Sequence, residues 1–143
     1  MRFWDTSALV PLFIQQPQTS LATEALADDH ETVLWWATAV EYESALQRLL
    51  RQAVLDAEGV AVARESFSLL RDGAVEVEPS EELRSRAIRL LGKHPLRGAD
   101  ALQLASALTW VGDGDSSVGF VSFDDRLRAA AEREGLTVLP PSI

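Results

Sequence analysis

The sequence predicts an α/β fold, a three-layer α/β/α sandwich around a central, mainly parallel five-stranded sheet. Three observations carry that prediction. Short apolar runs recur along the chain, separated by helix-length stretches, and strands joined by helical crossovers lie parallel with helices on both faces. The first run, Arg2-Phe3-Trp4, ends on the carboxylate of Asp5, and a later run from Val118 to Ser122 is closely followed by Asp124. Right-handed crossovers bring the carboxyl ends of such strands to one edge, where α/β sheets hold their ligands.

Residues 2–5 read as the first strand, and Thr6 to Ile14 as a helix stopped near Pro17. A second helix covers Thr19 to Ala27, and Thr32-Val33-Leu34-Trp35 forms the second strand. Residues 39–53 read as a helix with Val40, Leu46, Leu49, Leu50 and Ala53 on one face. The next helix, Asp56 to Leu70, closes at Asp72-Gly73. Val75-Glu76-Val77 is the third strand, ended by Pro79; Ser80-Glu81-Glu82 then opens a helix with a hydroxyl cap and early acids. An Ala- and Leu-rich helix runs from Gly98 to Trp110, and a polar loop follows at residues 112–116. Val118 to Ser122 is the fourth strand, Asp125 to Glu134 a helix, and Thr137-Val138-Leu139 the fifth strand.

A chain of 143 residues, nearly half of them apolar, makes one domain (1–143) able to bury its own core. Cysteine is absent, which excludes disulfides, thiolate metal sites and cysteine nucleophiles. Two histidines, His30 and His94, make a histidine-rich zinc site a poor expectation. Any metal chemistry here would therefore have to be oxygen chemistry. No secretory leader and no membrane-spanning run is visible, so a soluble cytoplasmic protein is expected. The net charge of −9 argues against binding nucleic acid through a broad basic face. It leaves room for a narrow groove lined by arginine, and it suits a basic partner segment.

Asp100 stands in Leu96-Arg97-Gly98-Ala99-Asp100-Ala101-Leu102-Gln103-Leu104-Ala105, in the first turn of an otherwise apolar helix. The helix dipole favours a carboxylate there, but an acid among buried neighbours needs a partner or a cation. Glu41 and Glu43 follow the second strand in Thr38-Ala39-Val40-Glu41-Tyr42-Glu43. They stand about 200° apart around a helix, so they cannot serve one site equally. Glu41 is the candidate for the rim and Glu43 for a solvated face. Of the pair after the fourth strand, Asp124 is the ligand candidate and Asp125 a cap or supporting acid. Thr6 and Ser7 can cap the first helix while Asp5 faces the rim.

Like charges brought together repel unless a cation joins them. Hard divalent ions, Mg²⁺ or Mn²⁺, take oxygen ligands and act on phosphodiesters. Arg97, three residues before Asp100, is the basic side chain best placed to meet a phosphate or to pair with the acid. Arg48 and Arg51 read as ordinary exposed helix charges. Trp35 and Trp36 point to opposite sides, and at least one belongs to the core.

Asp5-Thr6-Ser7-Ala8-Leu9, Glu41 in Val-Glu-Tyr-Glu-Ser-Ala-Leu, the segment from Leu96 to Ala105, and Phe123-Asp124-Asp125-Arg126-Leu127 together resemble the PIN domain. More narrowly they resemble VapC-type toxin ribonucleases of toxin–antitoxin operons. The likeness runs from residue 2 to about 139, and the segment around Asp100 is its most specific piece. One departure is the long helix that opens at Asp56.

The resemblance implies a PIN-like fold and a metal-dependent endoribonuclease whose family acids map onto Asp5, Glu41, Asp100 and Asp124. Thr6 or Ser7, and Ser122, are then supporting hydroxyls, with Asp125 and Arg97 nearby. Mg²⁺ or Mn²⁺ is the implied cofactor and RNA the implied substrate. A homodimer is the implied assembly. The implied partner is a cognate antitoxin that packs a C-terminal segment into a groove and sets a basic side chain at the acids.

Two alternatives share the fold: a catalytically silent PIN-like scaffold that binds RNA or protein, and a PIN nuclease of RNA processing that is no toxin. The four filled acid positions disfavour the scaffold. A phospho-acceptor receiver is set aside, because Glu78-Pro79 stands after the third strand where an acceptor Asp belongs.

Overall fold

A computed structural model describes residues 1–112 and 118–143; from Asp113 onward the expected polar loop lies outside the described residues. Five strands, β1 (Arg2–Trp4), β2 (Thr32–Trp35), β3 (Val75–Val77), β4 (Gly119–Val121) and β5 (Thr137–Leu139), form one sheet in the order β3-β2-β1-β4-β5. Every pairing is parallel. The expected five-stranded sheet is therefore wholly parallel.

Phe3 sits opposite Val33 on one side and Phe120 on the other. The two phenyl rings stack with centroids 5.6 Å apart. Because successive strand residues face opposite ways, β1 feeds two cores. Phe3, Val33 and Phe120 pack on one face against α5 (Glu81–Lys93), α6 (Gly98–Val111) and α7 (Asp125–Arg133). Trp4, Leu34 and Val121 pack on the other against α1 (Thr6–Phe13), α2 (Thr19–Asp28), α3 (Thr38–Arg51) and α4 (Ala57–Asp72).

The chain winds outward from β1 through β2 to β3, then returns to lay β4 against the other side of β1. The strand order reverses between β1 and β4, which opens a crevice at their carboxyl ends. Asp5 follows β1 and Asp124 follows β4, one on each side of it.

Helix α3 corrects one expectation. Its buried residues are Thr38, Tyr42, Ala45, Leu46 and Leu49, whereas Val40 is 69% exposed. Ala53 lies beyond the helix with φ of 58°. The core-facing stripe thus follows Tyr42, whose hydroxyl donates to the Ala63 carbonyl of α4 at 2.9 Å. Trp35 is buried and Trp36 is half exposed. Among the described residues no helix is long and apolar enough to cross a membrane.

Candidate active site

The cleft at the strand ends has a volume of about 1060 Å³, and Asp5, Glu41, Asp100 and Asp124 all line it. Each arrives from a different element. Asp5 closes β1, Glu41 is in the first turn of α3, Asp100 is in the first turn of α6, and Asp124 precedes α7. Chain segments far apart in sequence meet here because parallel strands share one polarity.

The helix caps differ from expectation. Asp5 is itself the N-cap of α1, with its Oδ2 accepting from the Ser7 amide at 3.3 Å. Thr6 and Ser7 are the first residues of the helix rather than its caps. Asp124, not Asp125, caps α7, with Oδ1 accepting from the Leu127 amide at 2.8 Å. The reason is common to both. Each stands in extended backbone immediately before its helix, where a carboxylate oxygen can accept from the amides of the first turn. Asp125, one residue on, also lines the cleft.

Two serines fix Asp5. The hydroxyls of Ser7 and Ser122 donate to its Oδ2, the latter at 3.0 Å. Ser122 Oγ also accepts from the Asp124 amide at 3.1 Å, so one hydroxyl ties the carboxylate after β1 to the turn after β4. Arg128 holds the backbone behind that hydroxyl. It is 9% exposed and donates to the carbonyls of Ser122, Leu139 and Pro140 at 2.8, 3.1 and 2.6 Å.

Gln103 was not expected at the site. It is fully buried, and its Nε2 lies within hydrogen-bond distance of Thr6 Oγ1 (3.1 Å), Thr38 Oγ1 (3.0 Å) and Glu41 Oε2 (2.9 Å). One amide therefore links α6 to the starts of α1 and α3. A polar side chain on the buried face of an apolar helix, three residues after Asp100, is the signal that could have found it.

The electrostatics separate this cleft from an ordinary acidic surface. Burial pushes the Asp5 carboxyl up to about 6, against the two serine hydrogen bonds and with help from the charge of Asp100. Glu41 is pushed up to about 7, first by burial and then by Asp5 and Asp100, against the hydrogen bond from Gln103. Asp100 is raised by burial and by Asp124, against Arg97 and Arg126. Glu43 behaves oppositely. Arg64 pairs with it at 2.7 and 2.8 Å, Gln47 donates to it at 2.7 Å, and its carboxyl is held down at about 2. It does not line the cleft.

Repulsion links the acids in pairs, and among the described residues no three Asp, Glu or His groups gather closely enough to hold one ion. The donor set is nevertheless all oxygen, and a divalent cation would relieve the crowding that raises these carboxyls. In its chemistry the cleft fits a hard metal ion. Arg48, Arg97 and Arg126 border the same cleft, and none forms a salt bridge among the described residues. Arg48, expected to be an ordinary helix charge, is exposed but faces this opening.

A wholly parallel sheet with an acid-lined crevice at its switch point places the chain among the α/β domains that hold their ligands at the strand ends. The chain belongs to the PIN-domain family, whose model matches residues 2–133. Within that family it is similar to the ribonucleases VapC49 and VapC35 of Mycobacterium tuberculosis. It is 32% identical to each, over 99% of this chain and 96% or 97% of theirs. Solved structures share the fold at lower identity. One is VapC20 of Mycobacterium tuberculosis, a sarcin–ricin-loop-cleaving toxin, with TM-score 0.68 and 17% identity over 91% of this chain and 95% of that one. Another is FitAcB of Neisseria gonorrhoeae, with TM-score 0.66 and 16% identity over 96% of both chains.

Proposed function

We propose that the chain is a VapC-type toxin: a cytoplasmic, divalent-metal-dependent endoribonuclease that forms a homodimer and is silenced by a cognate antitoxin. The observation that carries the reading is the meeting of four carboxylates, Asp5, Glu41, Asp100 and Asp124, from four separate elements in one cleft. The kinship with VapC ribonucleases supports it independently.

In this reading Asp5, Glu41, Asp100 and Asp124 would hold Mg²⁺ or Mn²⁺, drawn closer together by the ion than they stand without it. The bound ion supplies charge neutralisation at an RNA phosphate and a water acidic enough to serve as nucleophile. The rest falls to the chain. Ser7 and Ser122 fix the Oδ2 side of Asp5, and Gln103 does the same for Oε2 of Glu41. Thr6 joins that buried network through Gln103. Arg48, Arg97 and Arg126 bind the phosphates flanking the cut, which reconciles a net charge of −9 with an RNA substrate. Asp125 adds a fifth carboxylate to the cleft lining.

The test is cleavage of RNA by the purified chain with and without Mg²⁺ or Mn²⁺. Asp5→Asn and Asp100→Asn are expected to abolish metal-dependent cleavage while the circular-dichroism spectrum stays that of the wild type. Full activity in either variant rejects the metal-site assignment. Expression without a partner should arrest growth, and unimpaired growth would refute the toxin reading.

A further inference from the structure

Three of the four cleft carboxylates are hydrogen-bonded in the same one-sided way. Asp5 accepts through Oδ2 from the Ser7 amide, the Ser7 hydroxyl and the Ser122 hydroxyl. Glu41 accepts through Oε2 from Gln103, and Asp124 through Oδ1 from the Leu127 amide. The other oxygen of each accepts no hydrogen bond among the described residues. Glu43 is the counterexample, since Arg64 and Gln47 occupy both of its oxygens.

Every donor to those three carboxylates is neutral. An amide or a hydroxyl fixes a carboxylate without discharging it, whereas the Arg64 guanidinium brings Glu43 a countercharge. Gln103 is the clearest of these donors. It is fully buried, and its Oε1 has no partner, a penalty that an apolar side chain of equal length would not carry. Packing α6 into its apolar core does not ask for an amide at this position. Holding Glu41 and the first residues of α1 and α3 does.

A carboxylate with one oxygen committed has one oxygen left for an ion. Ca²⁺ gathers a large, loose shell of oxygens and often uses both oxygens of a carboxylate, whereas the smaller Mg²⁺ keeps near-octahedral geometry and several of its waters. We propose that Gln103, together with Ser7 and Ser122, sets which ion the cleft accepts. By committing one oxygen of Glu41 and one of Asp5, these side chains favour small octahedral ions and discriminate against Ca²⁺. They are positioning residues, acting through the acids rather than on the substrate. The inference rests on the metal reading of the cleft and adds to it a determinant of ion choice.

The test is displacement of Mn²⁺ from the purified full chain, with bound Mn²⁺ followed by electron paramagnetic resonance as Mg²⁺ or Ca²⁺ is added. Wild type should bind Mg²⁺ more tightly than Ca²⁺. Gln103→Met keeps the length of the side chain and removes its donor, which frees Oε2 of Glu41. The ratio of Mg²⁺ to Ca²⁺ affinity should then fall about tenfold, the scale of one such hydrogen bond. Ser7→Ala combined with Ser122→Ala releases Oδ2 of Asp5 from both hydroxyls and should lower the ratio too, a test that holds even if Gln103→Met fails to fold. Glu43→Gln should leave the ratio unchanged.

A site merely loosened by these changes loses both ions alike, so an unchanged ratio in a folded variant overturns the proposal. So does a wild type that binds Ca²⁺ at least as tightly as Mg²⁺. Where Asp5→Asn abolishes Mn²⁺ binding but the ratio stays fixed in the variants, the inference on ion choice falls and the metal reading stands. Mn²⁺ binding that is absent from wild type, or untouched by Asp5→Asn, overturns both.

Discussion

Glu41 and Glu43 stand two residues apart on α3, and the fold treats them in opposite ways. Glu41 turns into the cleft beside Asp5 and Asp100, where burial and like charge push its carboxyl up to about 7. Glu43 turns to α4, where Arg64 and Gln47 hold its carboxyl at about 2. Tyr42 lies between them and anchors the helix to Ala63. The contrast separates two kinds of acid. Glu43 has its countercharge in Arg64; Glu41 is crowded by Asp5 and Asp100 and forms no salt bridge among the described residues.

The largest expected effect breaks this contrast directly. Glu41→Gln should reduce metal-dependent RNA cleavage by about 10²-fold or more, the scale for losing a group that supports charge stabilisation. Glu43→Gln should leave cleavage within about twofold, as for a surface substitution away from the chemistry. Equal losses in the two variants would erase the distinction.

The next effect is on stability, and its sign follows from the direction of the shifts. Folded Asp5 and Glu41 keep protons that the unfolded chain has already released, so in the absence of divalent ions the folded state loses stability as pH rises from about 4 to 7. Thermal melts in EDTA should show that decline, and Mn²⁺ should reverse it at pH 7. Asp5→Asn should be more stable than wild type in EDTA at neutral pH, by on the order of 2 kcal/mol. Asn caps a helix as well as Asp does, so α1 keeps its start. A wild-type melting temperature that rises steadily with pH in EDTA would contradict the account.

Tyr42→Phe removes a buried hydroxyl from Ala63 and should cost about 1 kcal/mol in urea unfolding with cleavage retained. Smallest of all, Glu43→Gln should lower stability slightly near pH 7, because a depressed carboxyl stabilises the fold above its unfolded value and loses that effect as pH falls toward 2. Salt should shrink the difference, since the Glu43–Arg64 pair is largely exposed.

Much of this was legible from the sequence, for definite reasons. Apolar runs that stop at carboxylates mark strand ends, so Asp5 and Asp124 could be brought to one rim before any coordinates existed. The apolar setting of Asp100 likewise announced an acid short of solvent. The 200° separation was enough to send Glu41 and Glu43 to different faces.

Other features were hidden. Val40 read as core because it is apolar, yet it lies off the buried stripe of Thr38 and Tyr42 and borders the cleft. Gln103 and Arg128 act through buried contacts with residues from 62 to 97 positions away or with neighbouring carbonyls, and no local pattern encodes such a contact. Arg48 and Arg126 look like any helix arginine until the fold turns them toward the acids. The cap assignment failed because Asp, Thr and Ser cap helices comparably well, and only the backbone shows which residue stands in the extended position.

The most direct test of the central claim is a cleavage assay on one RNA with four samples: wild type with Mn²⁺, wild type with EDTA, Glu41→Gln with Mn²⁺ and Glu43→Gln with Mn²⁺. Cleavage in the first and last samples alone is the predicted result. Cleavage that survives EDTA, or that survives Glu41→Gln at the wild-type rate, would show that the crowded acids of the cleft are not the seat of the chemistry.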